Sequence, residues 1–405
     1  MAKEEKKAPK LRFNGYTNDW ERKKLGILIT RVKSYPLSRS VEVKKETDVK
    51  YVHYGDIHTN IADEIDKNNN LPFINEIYKE YDELKLDDVI VADASEDYKG
   101  IADAAVIISN LPYTIIAGLH TIALRPTSLI KGYFLYHIFK TENFKRFGYK
   151  IGTGLKVFGI SYNNLAKYKV YYPQEIEEQE KIIGILSNLT NSINLHERKC
   201  EELTLIKKAL LQKFFPKKDE FKPEVRYKNF SNAWEQRKLG EVVNFLDTLR
   251  KPLEGAKRVK GPYPYYGASG IVDYVDGYLF DEELILLSED GANITERNYP
   301  VCFLASGKYW VNNHAHVLKI KEDNDNNFIC NSLERKDYTK YNTGMAMPKL
   351  NKETCKGIPI MCPNYDEQKK IGNYFRKFDT LIALHQRKLE KLKQLKKFLL
   401  QNMFI

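Results

Sequence analysis

The side chains of this chain that could do chemistry lie in loops where cations mix with amides, phenols and imidazoles. Lysine and arginine bind phosphates, whereas asparagine, histidine and tyrosine can hydrogen-bond base edges, so such loops are typical of a nucleic-acid contact surface. In the first half of the chain the candidates are Tyr51, His53, Tyr54, Asp56, Tyr98, Lys99, His120, Lys150 and Lys156. In the second half they are Arg250, Lys257, Arg258, Lys260, Tyr265, Tyr266, Asn293, Lys308, Tyr309, Asn312, Asn313 and His314. For any one residue, packing or a solvated surface is an equally good interpretation, so the loops are firmer predictions than their members.

Two pairs of candidates occupy similar places in the two halves. Tyr54 and Tyr266, each followed by glycine, are 212 positions apart, and His120 and His314 are 194 positions apart. A position that both halves share is expected to hold the fold or a phosphate. An unshared position is where the two halves can discriminate different bases.

Catalytic and metal-binding patterns are not found in the sequence. There is no G-x-x-x-x-G-K-[ST] phosphate loop, and the histidines show no metal spacing with carboxylates or cysteines. Residues 110–113, Asn-Leu-Pro-Tyr, resemble the N-P-P-Y segment with which adenine methyltransferases hold a flipped base. Leucine replaces the first proline, however, and no companion glycine-rich loop is present. We therefore interpret the segment as a turn between strands and predict no catalytic residue and no metal in this chain.

Length and composition indicate a folded protein of two or three domains, because 42% of its 405 residues are hydrophobic and 12% are aromatic. The net charge of +11 favours a polyanionic partner, although charge alone is a weak signal. The five cysteines include no C-x-x-C pair, and no export signal is visible in the first ten residues, which favours a reducing compartment and hence the cytoplasm. Residues 104–124 are uncharged but interrupted by proline, glycine and polar residues, so we predict two buried strands with a turn rather than a membrane span.

The elements that position these loops are repeated along the chain. Residues 9–26 read PKLRFNGYTNDWERKKLG, and residues 223–240, 214 positions later, read PEVRYKNFSNAWEQRKLG. A second pair of similar segments begins with Glu-Gln at positions 178 and 367, 189 positions apart. The blocks between these segments differ, so the chain alternates a repeated frame with two unlike variable blocks.

Each Glu-Gln opens a run without proline in which apolar residues recur mostly at alternating steps of four and three, a heptad seam that predicts a long helix. The seam positions are Ile182, Leu186, Leu189, Ile193, His196 and Leu203, then Ile371, Phe375, Phe378, Ile382, His385, Leu389 and Leu392. Residues 177–216 carry no net charge and residues 366–405 carry +6. The second helix is therefore expected to pair with the first rather than with a copy of itself. An ordinary pair of amphipathic core helices is the alternative.

We predict an α+β fold in which two α/β recognition domains are separated by two long antiparallel helices that form an intramolecular coiled coil with pseudo-two-fold symmetry. The variable blocks lack helical periodicity, and their strands are predicted at residues 49–57, 88–92, 105–108, 114–124, 263–266, 284–288, 301–305 and 316–320. The predicted segments are a tail and opener (1–20), the first domain (21–175), the central helix (176–216), a linker and second opener (217–234), the second domain (235–365) and the C-terminal helix (366–405).

Together these segments resemble the specificity subunit of a bacterial type I restriction-modification system, over nearly the whole chain. The resemblance rests on the W-E-x-[RK]-K-L-G openers, the [GN]-T-G segments at 152–154 and 342–344, the prolines at 173 and 363 before Glu-Gln, and the two terminal helices. It implies a non-catalytic subunit whose two target-recognition domains each read one half of a split double-stranded DNA sequence.

The same resemblance implies partners and cofactors outside this chain. Two methyltransferase subunits would dock on the frame, restriction and translocase subunits would join for cleavage, and one copy of this chain would serve each methyltransferase complex. S-adenosylmethionine, ATP and magnesium would belong to those partners, with no cofactor in this chain. Two alternatives stay open: an autonomous DNA adenine methyltransferase, which would turn over S-adenosylmethionine alone, and a coiled-coil scaffold that does not bind DNA.

Overall fold

The computed structural model describes residues 8–75, 80–96, 100–154 and 158–405. The chain divides into two units, of which the first is Met1–Leu195 with Leu389–Ile405 and the second is His196–Lys388. Both boundaries fall inside long helices, so each unit holds one variable block together with a part of each helix.

The first unit is built mainly from short strands, with helices between some of them. Its strands are β1 Glu21–Lys24, β2 Ile29–Val32, β3 Glu42–Val43, β4 Val49–Val52, β5 Glu64–Ile65, β6 Phe73–Ile74, β7 Val89–Ala92, β8 Ala94–Ser95, β9 Ala104–Ile107, β10 Thr114–Ala117, β11 Thr121–Pro126, β12 Phe158–Gly159 and β13 Lys169–Tyr172. Its helices are α1 Leu25–Leu28, α2 Tyr54–His58, α3 Gly132–Phe139, α4 Glu142–Ile151, α5 Tyr162–Leu165 and the first half of α6 Ile176–Phe214. A five-stranded sheet has the order β2-β11-β7-β9-β5, and a four-stranded sheet has the order β10-β4-β6-β3.

Strands β7 and β9 are buried on both faces, which explains their continuously apolar sequences. Successive side chains of a strand point to opposite faces of its sheet. Val89 and Val91 therefore pack in one cluster with Phe134 of α3, whereas Ile90 packs in another cluster with Val52 of β4. The five-stranded sheet thus separates a core beneath α3 from a core that it shares with the smaller sheet.

The second unit repeats this plan with a different sequence. Its strands are β14 Glu235–Lys238, β15 Val243–Phe245, β16 Lys260–Gly267, β17 Gly270–Val275, β18 Phe280–Asp281, β19 Leu284–Ser288, β20 Cys302–Ala305, β21 Lys308–Val311, β22 Ala315–Ile320 and β23 Pro359–Cys362. Its helices are the second half of α6, then α7 Leu239–Val242, α8 Asn293–Glu296, α9 Asn326–Glu334, α10 Lys352–Lys356 and the start of α11 Tyr365–Asn402. The sheet β15-β22-β19-β20 corresponds to β2-β11-β7-β9, and the sheet β17-β16-β21-β18 contains the parallel pair β16-β21 that corresponds to β4-β10.

A buried ion pair fastens each opener to the first turn of a long helix. The guanidinium of Arg12 donates from Nε and Nη2 to the two carboxylate oxygens of Glu178 at 2.7 and 2.9 Å. Trp20 donates to the same carboxylate at 3.4 Å. Arg226 and Glu367 repeat the bidentate arrangement in the second unit, with both contacts at 2.7 Å. The repeated motifs are therefore structural, because a two-pronged charged contact fixes both position and orientation.

Nine of the thirteen predicted seam residues pack in or against the buried clusters of the two units. In the first unit Ile182, Leu186, Leu189 and Ile193 of α6 share a buried cluster with Leu399 and Met403 of α11, and Leu389 and Leu392 lie at its edge. In the second unit Leu211 and Phe214 of α6 share a cluster with Ile371 and Phe375 of α11, with Phe378 at its edge. The start of each helix therefore pairs with the end of the other. This is the antiparallel coiled coil that the heptad spacing predicted.

The seam is more open towards the middle of the helices, where Leu203, Ile382, His196 and His385 are only half-buried. The two histidines, which occupy the same heptad position, meet with their Nδ1 atoms 2.7 Å apart. Partial burial lowers the pKa of His196, and the charges of Lys388 and His385 lower it further.

Two strand predictions differ from the structure. The strand predicted at 49–57 ends at Val52, because His53 accepts a hydrogen bond from a following backbone N–H and starts α2. The uncharged stretch 104–124 contains three strands, β9, β10 and most of β11, rather than two. Among the described residues, no helix combines the length and the apolar character that a membrane span needs.

Candidate nucleic-acid interface

The predicted contact residues of the first unit gather where β4 ends and β11 begins. His53 caps α2, with its Nδ1 accepting from the Gly55 N–H at 3.2 Å. The ring of Tyr54 packs against that of His53 with centroids 4.4 Å apart, and it meets His120 edge-on at 5.4 Å. The structure thus joins two of the predicted loops, 51–56 and 118–120, into one cluster.

Charges beneath this cluster are arranged around a carboxylate. Asp56 is fully buried, accepts from the His53 N–H at 2.8 Å and pairs with Arg39 at 2.9 Å. Burial lowers the pKa of His53, and the charge of Arg39 lowers it further. The prediction that Asp56 contacts DNA is therefore wrong for this conformation, since its carboxylate is enclosed by the protein. Sequence reasoning missed Arg39, whose side chain is half exposed beside the cluster.

The second unit places several candidates at the corresponding edge, after β19 and before β22. Arg250 is largely buried and donates to Glu289 at 2.7 Å and to the carbonyl of Ala315 at 2.8 Å. Asn312 accepts from the His314 N–H at 2.8 Å. Arg250 and Asn312 therefore brace the edge, whereas His314 and Asn313 are exposed on it.

Behind this edge lies His316, which is 1% exposed. Its Nδ1 lies 2.8 Å from Asp247 and its Nε2 lies 2.8 Å from the carbonyl oxygen of Leu350. Burial alone would raise the pKa of Asp247, but the hydrogen bond from His316 and the charge of Arg250 bring it below its usual value. His316 is thus a hydrogen-bonded core residue.

Four further candidates are buried, and a direct DNA contact is wrong for them in this structure. Tyr51, Tyr265, Tyr309 and Asn293 are between 0% and 4% exposed. The hydroxyl of Tyr51 donates to Glu42 at 2.8 Å, and that of Tyr265 accepts from a backbone N–H at 2.9 Å. Burial raises the pKa of Tyr51 and of Tyr309 well above the usual value. The three tyrosines lie in strands that turn them inward, which the loop-based prediction did not consider, and Asn293 of α8 donates to the Ser288 hydroxyl at 2.9 Å.

Strand register also corrects the proposed equivalence of Tyr54 and Tyr266. Tyr51 lies opposite the third residue of β10, and Tyr265 lies opposite the third residue of β21. Tyr51 and Tyr265 are therefore the equivalent pair, 214 positions apart like the two openers. Tyr266 is half-buried and packs against the ring of Tyr309.

The remaining candidates do not gather at the sheet edges that carry His120 and His314, or they lie outside the described residues. Lys260 and Lys308 begin β16 and β21, whereas His314 follows the end of β21, so roughly 20 Å of strand separates Lys260 from that edge. Lys257 and Arg258, close to Lys260 in sequence, pair with acidic neighbours. Lys150 is exposed near the end of α4. Tyr98, Lys99 and Lys156 lie outside the described residues.

The Thr-Gly segments form loops next to these edges. Thr343 donates from its N–H to the carbonyl of Lys349 at 2.8 Å. The backbone of Lys349 in turn forms an isolated antiparallel β-bridge with that of Asp290. A Cβ on Gly344 would lie 1.8 Å from the Met347 carbonyl oxygen, so glycine is required there. The loop leaves Met345 fully exposed. Sequence reasoning used residues 342–344 only as a family signature, although the equivalent residues 152–154 lie within the predicted contact loop 150–156.

Within the described ranges, no group of three or more histidines, cysteines and acidic residues could hold a metal ion. The Asn-Leu-Pro-Tyr segment lies between β9 and β10. Its tyrosine ring lies beneath the ammonium of Lys50 at 4.3 Å, and its hydroxyl donates to the carbonyl of Lys67 at 3.4 Å. This segment is therefore a strand connection.

The repeated frame and its two unlike domains define a duplicated recognition protein built on paired helices. The family model described as type I restriction modification DNA specificity domain matches residues 17–205 and 232–394. The chain belongs to this family, as its repeats predicted. It is a specificity subunit with DNA-recognition domains rather than a catalytic subunit.

Individual relatives agree with this assignment. A Haemophilus influenzae protein named as a type I restriction enzyme specificity subunit is 39% identical over 150 residues, covering 37% of this chain and 38% of that protein. The type I restriction enzyme MjaIX specificity subunit of Methanocaldococcus jannaschii is 21% identical over 74% of this chain and 73% of that protein. The crystal structure of the type I restriction-modification system S subunit from M. genitalium has a TM-score of 0.66 at 16% identity, covering 98% of this chain and 99% of that one, which supports the fold.

Proposed function

We propose that this chain reads a bipartite double-stranded DNA target, with one recognition domain for each half. The observation that supports this most is the pairing of one shared frame with two differently lined edges. Both units fasten their opener through the same arginine–glutamate contact, yet the first edge presents Tyr54 beside His120 and the second presents Asn313 beside His314. Different side chains on one frame are what two unlike half-sites require.

The paired helices are proposed to set the distance between the half-sites. Helix α6 has 39 residues and α11 has 38, which corresponds to roughly 58 Å at the helical rise. Each recognition block precedes the start of one helix, and the start of each helix pairs with the end of the other. This helix pairing within each unit is the observation from which we propose that the helices fix the spacing of the half-sites.

We also propose that the helices dock two methyltransferase subunits. Leu195 and Leu384 are 49% and 53% exposed, and Ile206 and Leu395 are 48% and 45% exposed. Each of these pairs is 189 positions apart, which is the repeat of the helices. Large apolar side chains exposed at equivalent positions support two copies of one partner.

The remaining partners and cofactors are carried over from the family as proposals. One copy of this chain would serve each methyltransferase complex, and restriction and translocase subunits would join for cleavage. S-adenosylmethionine, ATP and magnesium would be bound by those subunits. The five cysteines are all free thiols, which supports work in the reducing cytoplasm.

Exchange of the first recognition block tests the proposed function. Residues 21–172 would be replaced by the corresponding block of a relative, and methylated bases would be mapped genome-wide in a host that carries the whole system. We expect one half of the recognised sequence to change and the other half and the spacer to stay as before. The matched control replaces the second block instead and should change only the other half. A change in both halves, or in neither, would contradict reading by separate domains.

A further inference from the structure

The two exposed histidines occupy the same position in the two units. In the first unit three residues join β10 to β11, and in the second unit three residues join β21 to β22. His120 and His314 are the third residue of these connections. The first residue of each connection donates its N–H to the parallel neighbouring strand, Gly118 to Val52 at 2.9 Å and Asn312 to Tyr266 at 3.0 Å. Equal length and equal hydrogen bonding make the two connections equivalent.

Each histidine also faces a carboxylate that follows the neighbouring strand. The Nδ1 of His120 lies 3.1 Å from Asp93, directly after β7, and the Nδ1 of His314 lies 2.8 Å from Asp290, two residues after β19. The backbone repeats the correspondence, because the carbonyl of His120 accepts from the Asp93 N–H at 3.0 Å and that of His314 accepts from the Glu289 N–H at 2.9 Å. By these backbone bonds Asp93 is equivalent to Glu289, and the carboxylate that contacts His314 comes from the next residue, Asp290. A histidine–carboxylate contact is thus made in both units, from neighbouring positions of unlike sequences.

The carboxylate determines what the ring offers to a bound molecule. With Nδ1–H donating to the carboxylate, Nε2 is an acceptor when the ring is neutral and a donor when the ring carries a second proton. The side chains of His120 and His314 are 48% and 52% exposed. Within the described part of the chain neither Nε2 has a hydrogen-bond partner. A ring that donates Nδ1–H to an acid and carries a second proton on Nε2 offers that proton to an anionic ligand.

We infer that His120 and His314 each bind a backbone phosphate of the DNA duplex, one in each half-site, through Nε2–H of an imidazolium that Asp93 or Asp290 holds in place. This inference rests on the proposed function. The residues around the two histidines differ. Leu119 precedes His120, Asn313 precedes His314, and the ring of Tyr54 packs against His120 in the first unit. A histidine present in both domains therefore fits a feature that is common to both half-sites. Phosphate is that feature, whereas bases differ.

Binding by the assembled methyltransferase complex tests this inference. The complex would carry His120→Ala, His314→Ala or both, and its affinity would be measured by fluorescence anisotropy on its own target duplex and on duplexes with either half changed. We expect each single variant to weaken binding roughly three- to tenfold on every duplex, with an unchanged ratio between target and altered duplexes. The slope of log Kd against log salt should fall by about 0.9 for each histidine removed.

The carboxylates supply a sharper variant. Asp290→Asn keeps an acceptor for Nδ1–H but removes the negative charge 2.8 Å from the ring, so we expect weaker binding to all duplexes and a salt slope lowered as in His314→Ala. Unchanged or tighter binding by this variant would overturn the inference, because the acid would then only repel the phosphate. A changed discrimination ratio or a changed methylation motif in either histidine variant would overturn it in favour of a base contact.

The controls separate this inference from the proposed function. Thermal unfolding of each variant should match the unsubstituted complex, because both histidines are exposed. If the unsubstituted complex does not discriminate its target, the proposed function fails. If it discriminates normally and the histidine variants bind with unchanged affinity and salt slope, only the phosphate contact fails.

Discussion

Removal of the charge of Glu178 should destabilise the first unit more than any exposed ion pair can. The Glu178 side chain is 1% exposed, and that of Arg12 is 13% exposed. Glu178→Gln keeps the size of the side chain but leaves the buried guanidinium with a neutral partner. Breaking one member of a buried ion pair costs about 3 to 5 kcal/mol, and one retained hydrogen bond places the expected loss near the lower value. For a unit of this size, about 3 kcal/mol corresponds to a fall in melting temperature of roughly 6 to 12 °C.

Differential scanning calorimetry of the full chain would measure this loss. Glu202→Gln is the matched control, because Glu202 forms an i,i+3 pair with Lys199 on the exposed face of α6 at 2.9 Å. Its side chain is 56% exposed, so its loss of stability should be much smaller than that of Glu178→Gln. Glu367→Gln should reproduce the effect of Glu178→Gln in the second unit, where the same contact is made to Arg226.

The double variant Arg12→Met with Glu178→Leu should be more stable than Glu178→Gln alone, because it leaves no buried charge without its partner. We call each of the ion pairs Arg12–Glu178 and Arg226–Glu367 a clasp, because it fastens an opener to a long helix. Equal losses of stability for Glu178→Gln and Glu202→Gln would refute this structural role. A loss confined to the second unit would refute the assignment of each clasp to its own unit.

Three further predictions concern pH, docking and spacing. Burial and the charges of Lys396 and Lys140 lower the pKa of His137 to about 3, so the unfolded chain binds the proton and stability falls as pH drops from about 6.5 towards 3. His137→Phe should therefore gain about 2 kcal/mol over the unsubstituted chain between pH 7.5 and pH 5 in melting experiments, and an equal difference at both pH values would contradict this. Glu at both Leu195 and Leu384 should abolish co-purification of the methyltransferase without lowering the melting temperature, and retained co-purification would exclude this face. Seven residues added to both long helices at matched positions should lengthen the spacer in the mapped methylation motif. An unchanged spacer would contradict the proposal that the helices set the distance between the half-sites.

The helices and the frame could be predicted because their signals are local and repeated. Seam residues such as Ile182 and Phe375 recur at helical spacing, and a helix brings residues three and four apart onto one face whatever surrounds it. The clasp residues stood out because they recur in order in both halves. The pairing of these residues could not be predicted, because Arg12 and Glu178 are 166 positions apart and only the folded chain brings them together.

The contact residues were harder to predict because strand register and partner identity are not local. Tyr51 and Tyr54 look alike as members of one loop, yet parallel pairing with β10 buries the first and leaves the second at the edge. Asp93 and Asp290 were missed because an acid at a strand end is not a residue type that marks a DNA contact. Its role follows only from the histidine that the neighbouring strand places 3.1 or 2.8 Å away.

The glutamine after each clasp explains how one frame can hold unlike domains. Gln179 accepts from the Lys131 N–H at 2.8 Å and donates to the carbonyl of Leu129 at 3.1 Å, at the start of α3. Gln368 accepts from the Asp325 N–H at 3.2 Å at the start of α9. Both glutamines bind the backbone of the variable block and not its side chains, and backbone groups are the same in every sequence except at proline. Selection can therefore change the loops that we propose to face DNA without loosening the hold of the frame, provided that position 131 or 325 keeps its N–H. A proline introduced at either position should for this reason cost more stability than any other change at the same site.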